Sequence, residues 1–454
     1  MRMKKLLYIA MALMAVTGCA KALDNVTPKH AISSDKVGEG DLNKLTNGVL
    51  YNMESCASNG WWDGDKMGEV FRNGPGGAAF TDVLVMTPST DFVSSRWNKY
   101  MTTLWQVNEL LGSASGVSSA AASNARMTGC FCRAWIYYQM YIRWGTAPIL
   151  EKPSNDEIPL SKGPAVLEFI LKNLEDALKE TPAQHSSFYV TEDAVNALKA
   201  KTLLLTGDKA GAAEAAGKVI GGSCALAITS EDLAATWING TSSKEIVFAL
   251  ANKRPEDQIS LYSSTNDTDG SWNYSMPDDL VVTLYADEPG VREGDMRRPV
   301  VLTDNNKARI LKFPNGNDGM DQFIKNPDPS QSPLVLIRIA EMYLVKAEAE
   351  GNTAAGRATL EAFLKTRYAS VSLPSSLTDT QWEDLLLDEN LREFFAEGKR
   401  WFTVKRMNRL DMLPSLKGRN YLMLWPIPSN QIQILKDKSA YPQNPGYANI
   451  DDIE

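Results

Sequence analysis

The sequence predicts a mainly α protein: tetratricopeptide-type helical hairpins forming a scaffold, with an irregular, loop-rich lobe carrying short strands. Three observations predict it. Thr191 can cap a helix through AVNALKAKTLLLTGD, Gly207-Asp208 makes a turn, and AGAAEAAGKVI returns. The same plan recurs in LVLIRIAEMYLVKAEAEGN, turned at Gly351-Asn352 and returned by RATLEAFLKTR. Small residues at Ala212, Ala213, Ala216, Ala347 and Ala349 allow paired helices to approach closely. Between these units, residues 222–333 change character, with short runs EIVFAL, RRPVVL and ARILKF among Asn, Asp, Gly, Ser and Pro.

The elements follow in chain order. Arg2, Lys4 and Lys5 form a positive segment ahead of the apolar run Leu6 to Val16, which is too short to span a bilayer and suits a signal peptide. Val16-Thr17-Gly18-Cys19 resembles a bacterial lipobox, so residues 1–18 are expected to be removed and Cys19 lipidated. Residues 19–40 read as an extended tether and residues 41–454 as the folded domain. Asp41 is the expected N-cap of the first helix. Residues 58–95, rich in Gly, Asn, Asp and Pro, read as irregular loop. Residues 97–112 and 124–144 read as two long helices, the second ended by Gly145 and Pro148. A further helical pair is predicted in KGPAVLEFILKNLEDALKE.

Composition narrows the function classes. The formal charge is −8, and loss of Arg2, Lys4 and Lys5 with the leader takes it three further, to −11. An acidic chain lacks the basic stripe that nucleic acid requires. The two histidines are His30, in the tether, and His185, so neither a Ser-His-Asp triad nor a multi-histidine metal site can be built in the fold. There is no Gly-rich loop ending in Lys-Ser or Lys-Thr to cradle a nucleotide. Cys130 and Cys132 sit two apart in a helical run and face different sides, which disfavours a metal clip. With Cys56 and Cys224 they read as small core residues, although a disulfide stays possible. No cofactor or metal is expected.

Glu393 and Glu397 are the obvious candidates for a carboxylate pair in glycoside hydrolysis, but Arg392, Lys399 and Arg400 lie beside them. A structural ion-pair network is the stronger reading. Arg338 and Glu341 are likewise expected to pair inside the helical stack. The candidate binding residues are aromatic. Sugar rings stack their C–H faces on Trp and Tyr, and their hydroxyls need Asn, Asp and Arg. Two loop clusters offer both: Trp61, Trp62 and Asp63 with Arg72 and Asn73, and Trp272, Asn273 and Tyr274. Trp97, Trp105, Trp135 and Trp144 lie on helices and read as core.

The C-terminal part carries the most specific signal. RIAEMYLVKAEA, DENLREFFAEGKRWF, Pro426-Ile427-Pro428 and the closing QNPGY resemble the SusD/RagB family, as do Arg133, Ala134, Gly145 and Pro148. Asn390 and Thr403 depart from the family pattern. The resemblance implies a SusD-like fold of four helical repeat units plus an irregular lobe. It implies an outer-membrane lipoprotein of Bacteroidetes, lipid-anchored and facing the cell exterior, that captures a glycan and delivers it to a TonB-dependent outer-membrane barrel. A peptide or other nutrient as ligand is the alternative, and a surface-tethered glycosidase or esterase a weaker one. The family's ligand contacts vary in position, so the two aromatic clusters rest on their chemistry alone.

Overall fold

The computed structural model describes residues 38–76, 85–182, 184–237, 243–254, 256, 258–266, 272–302, 310–313, 332–416 and 418–448. The leader, Cys19 and the tether to residue 37 lie outside them.

Helix α1 (Glu39–Asn59) begins two residues before Asp41, with Gly38 as N-cap. Asp41 instead occupies the third helical position, and its carboxylate accepts from the Gly38 N–H at 3.3 Å. An acid in the first turn meets the unpaired amides from inside the helix as well as from the cap. Helices α2 (Asp91–Ala114) and α3 (Ala120–Trp144) are longer than expected, so the preceding loop ends at residue 90. Ser119 caps α3 by accepting from the Ala122 N–H, and Gly145 closes it at φ 72°, where a side chain would be strained. The predicted pair at 162–180 is one helix, α4 (Gly163–Ala177). It packs between α3 and α5 (Glu192–Thr206), which already supply its neighbours.

The hairpin α5–α6 (Lys209–Ile220) forms as the sequence indicates. Thr191 accepts from the Ala194 N–H, Gly207 turns at φ 82°, and Asp208 accepts from the Gly211 N–H at 2.9 Å. Helix α6 packs on α7 (Ile339–Glu350), which packs in turn on α8 (Ala354–Leu364). Ala212, Ala216 and Ala347 are fully buried along these contacts, where the missing side-chain bulk lets the helices close.

Two sequence expectations fail in instructive ways. Leu334–Arg338 is not the first turn of α7 but a strand, antiparallel to Ile246–Leu250, with Leu250 opposite Leu334 and Ile246 opposite Arg338. A short apolar run buried on both faces has no periodicity to separate strand from helix. Of the other two strand candidates, Arg298–Val301 forms a helical turn with Pro299 in its first positions, while Ile310–Phe313 is a turn and the residues before it lie outside those described. Three small two-stranded pairs lie elsewhere among the described residues. Arg72–Asn73 joins Tyr274–Ser275, Arg292–Asp295 joins Tyr368–Val371, and Ala147–Pro148 joins Leu160–Ser161.

Helix α9 (Asp379–Phe394) leads to a reversal at residues 395–398, with Ala396 and Gly398 at φ 64° and 72°, and then to α10 (Arg400–Arg406). Glu397 is therefore off the helix. The acids here form a buried ion network, but not with their sequence neighbours. Arg338 contacts Glu393 at 2.7 Å and Glu397 at 2.7 Å, Arg367 contacts Glu393 at 2.9 Å, and Lys312 contacts Glu397 at 2.6 Å. Arg297 adds Asp295, Glu389 and Glu393. The reversal turns Lys399 toward Glu341 at 2.7 Å, while Arg400 donates to the Leu387 carbonyl and Arg392 pairs with Asp388. Arg338 and Glu341 do not pair with each other, because Arg338 ends a strand and Glu341 faces Lys201 and Lys399.

Cys56, Cys130 and Cys132 are buried free thiols, and Cys224 is a half-buried one. Trp97, Trp135 and Trp144 are core, as expected, whereas Trp105 is 42% exposed. Among the described residues no helix is long and apolar enough to cross a membrane.

Candidate ligand-binding site

The two aromatic clusters, some two hundred residues apart in the chain, meet. Arg72 pairs with Ser275 and Asn73 with Tyr274 in a short antiparallel ladder, and the Gly74 N–H donates to the Asn273 carbonyl at 2.8 Å. Gly74 is required there, since a Cβ would lie 2.2 Å from the Trp272 carbonyl oxygen.

The structure then divides the candidates. Trp62 and Tyr274 are half-buried, with ring centroids 5.2 Å apart. Phe71 stacks on Tyr274 at 5.2 Å and 13°, and Phe313 meets Trp62 edge-on at 6.1 Å. The Lys66 ammonium lies 5.1 Å from the Tyr274 ring centre. Arg72, Asn73 and Asn273 are exposed at the margin. Arg72 is held by Asp278 at 2.9 Å, a surface pair worth about 0–1 kcal/mol that a ligand can displace.

Trp61, Asp63 and Trp272 are buried and serve the frame. Trp272 donates its indole N–H to Ser275 Oγ at 2.8 Å. Asp63 accepts from Arg96 at 3.0 Å and Arg143 at 3.1 Å. Burial alone would raise its pKa, but the two guanidinium groups hold it below the usual carboxylate value. Trp61 lies beneath the 395–398 reversal, where a Cβ on Gly398 would fall 2.1 Å from its carbonyl oxygen. The Gly398 N–H donates to Asp65 Oδ2 at 2.7 Å, tying this loop to the ion network. Lys66 and Phe71 escaped sequence reasoning. Lys66 stands four residues after Trp62, and a helical turn over Asp63–Met67 would have brought it to the same side.

A cavity of about 120 Å³ lies inside the scaffold, walled by Tyr138, Arg143, Lys201, Glu341 and Lys399. Burial opposes ionisation of Glu341, but Lys201 and Lys399 pull its pKa down to about 2. That arrangement holds the Glu341 carboxylate in its charged form. Glu393 and Glu397 are both buried and both ion-paired to Arg338, and Glu397 also borders this cavity.

The platform thus combines aromatic faces with amide, guanidinium and ammonium donors at an open margin. Residues 262–413 match the profile of the SusD family. SusD-like protein P2 of Formosa agariphila is 22% identical in an alignment covering 98% of this chain and 100% of that protein. SusD-like protein P38 of the same organism is 23% identical over 65% of this chain and 69% of its own length. A SusD superfamily protein from Bacteroides thetaiotaomicron superposes with a TM-score of 0.72 at 19% identity, covering 90% of this chain and 100% of that one. A laminarin-binding SusD-like protein superposes with a TM-score of 0.71 at 17% identity, covering 89% and 99%.

Proposed function

We propose that the chain is a SusD-family, cell-surface lipoprotein that captures a glycan and passes it to a TonB-dependent outer-membrane barrel, a reading supported by the profile match over residues 262–413 and the full-length SusD-like relative. The observation that carries the ligand class is the joined platform: Trp62 and Tyr274 present aromatic surface beside Lys66, Arg72, Asn73 and Asn273. A sugar places its C–H face on the rings and its hydroxyls on the margin. The laminarin-binding relative of the same fold supports a carbohydrate. The protein binds and does no chemistry in this reading.

A platform open to water exchanges hydroxyl bonds to water for similar bonds to protein and gains little from each. Affinity should fall between micromolar and millimolar, about −8 to −4 kcal/mol. Titration calorimetry against plant and host glycans should find a binder, and Trp62→Ala or Tyr274→Ala should weaken it by more than about 1 kcal/mol. Unchanged affinity in both variants would remove the platform from the site. No heat with any glycan would move the ligand to a peptide or another nutrient.

A further inference from the structure

The outer face of α2 carries a polar stripe, with Gln431 donating to Asn98 at one end of it. Val93, Trp97, Tyr100, Leu104 and Val107 bury one side of the helix, and Asn98, Lys99, Thr102, Trp105 and Gln106 follow one another along the other at spacings of one and three. Two clefts of about 520 and 400 Å³ open on this face and meet at Thr102 and Gln106. The first is walled by Asn52 and Ser55 of α1, Arg254 and Asn430, and the second by Trp105, Leu150 and Pro153.

Three features single the groove out. Trp105 is the one tryptophan among the described residues with its indole well exposed, at 42%. Ser55 is only 3% exposed, lines the first cleft, and its Oγ has no hydrogen-bond partner among the described residues. Gln106 Oε1, where the clefts meet, is buried and equally without a partner among them. A buried hydroxyl and a buried carbonyl left unpaired are costly unless something supplies both donors and acceptors. Sugar hydroxyls are both at once. The remaining wall is mostly amide and hydroxyl, with Lys99 and Arg254 set against Asp91 and with Arg254 already engaged by Asn52 and Glu256. That near balance suits an uncharged polymer better than an anionic one.

We propose that this groove is a second glycan-binding surface, gripping a neutral polysaccharide on Trp105 and Gln106 while Trp62 and Tyr274 hold another stretch of it. Only the ligand class rests on the glycan reading above, because the groove shares no residue with the loop platform. The first cleft, which Ser95 lines, is tied to the loop that carries Trp62. Asn59 donates to Ser95 Oγ at 3.3 Å, and Arg96 of α2 pairs with Asp63 in the Trp62 loop at 3.0 Å. Two weak grips on one chain raise retention of a long polymer without altering binding of a short fragment.

The test is electrophoresis of the mature chain through native gels cast with laminarin, starch, xylan or galactomannan, with the matching short oligosaccharides measured by calorimetry. Trp105→Ala and Gln106→Ala should each reduce retention in the retarding polysaccharide three- to tenfold, with melting temperature and oligosaccharide affinity unchanged. Trp105→Phe should restore part of the retention, and the polymer should protect Trp105 fluorescence from acrylamide in a Trp62→Ala background. Full retention in Trp105→Ala beside loss in Trp62→Ala would overturn the groove and leave the platform standing. Loss in Trp105→Ala beside full retention in Trp62→Ala would keep the groove and overturn the platform. Absence of retention in all four gels overturns both.

Discussion

Asp65 shows how the fold sets the chemistry of a single residue. It is fully buried, with Oδ2 accepting from the Gly398 N–H and Oδ1 without a partner among the described residues. Burial pushes its pKa up to about 8, against the opposing pull of the Gly398 amide and Lys312, with Glu397 adding to the rise. Between the unfolded value of 3.8 and about 8, the native chain therefore holds a proton that the unfolded chain has lost. Its contribution to stability is complete below that window and is lost as pH rises through it. Asp65→Asn cannot titrate. In urea unfolding, the variant should gain on the parent by more than about 1 kcal/mol between pH 5 and pH 8.5. A constant difference across that range would mean that the carboxyl is ionised in the fold. In the same corner Trp61 and Trp62, indistinguishable in the sequence, differ in the fold, Trp61 being buried and Trp62 half-buried. The Gly398 backbone lies against the Trp61 carbonyl, and a contact over more than three hundred residues leaves no local mark on the dipeptide.

At the level of elements, legibility followed local chemistry. The α5–α6 hairpin could be read because its signals lie on the chain itself: Thr191 as cap, Gly207 with positive φ, Asp208 as second cap. Leu334–Arg338 could not, because only pairing with Ile246–Leu250 makes it a strand. The ion network was read as a class but not by its members. Glu393 on α9 gathers Arg338 from the end of that strand, Arg367 from beyond α8, and Arg297 from the lobe. Three cations draw its pKa well below the ordinary value despite burial. Removing the charge leaves buried guanidinium groups uncompensated, so Glu393→Gln should destabilise by about 3–5 kcal/mol in chemical denaturation. Arg338→Met should cost about the same, and the double variant less than the sum of the two. Strict additivity would show that the two side chains do not act as one network.

Across the whole molecule, segments remote in sequence are closed onto one another. Asn444 donates to the carbonyls of Trp144 and Trp425 at 2.9 and 2.7 Å, and Trp144 donates to the Pro426 carbonyl at 2.9 Å, strapping the C-terminal end to the end of α3. The ladder between residues 72–73 and 274–275 closes the loop-rich lobe onto the loop after α1. The described fold thus carries the proposed ligand platform, while Cys19 and the proposed tether precede the first described helix. A lipidated Cys19 would carry two or three acyl chains, and each buried methylene contributes about 0.8 kcal/mol, which is enough for durable anchoring. Cys19→Ala should therefore release the chain from the membrane fraction and abolish palmitate labelling. If the body acts as a cover on a barrel, mild-detergent extraction and affinity purification of the anchored protein should bring down a TonB-dependent barrel in stable proportion. Persistence of palmitate labelling in Cys19→Ala would refute the anchor. A lone chain recovered from several mild detergents, with labelling intact in the parent, would refute the barrel partnership while leaving the anchor and the ligand platform untouched.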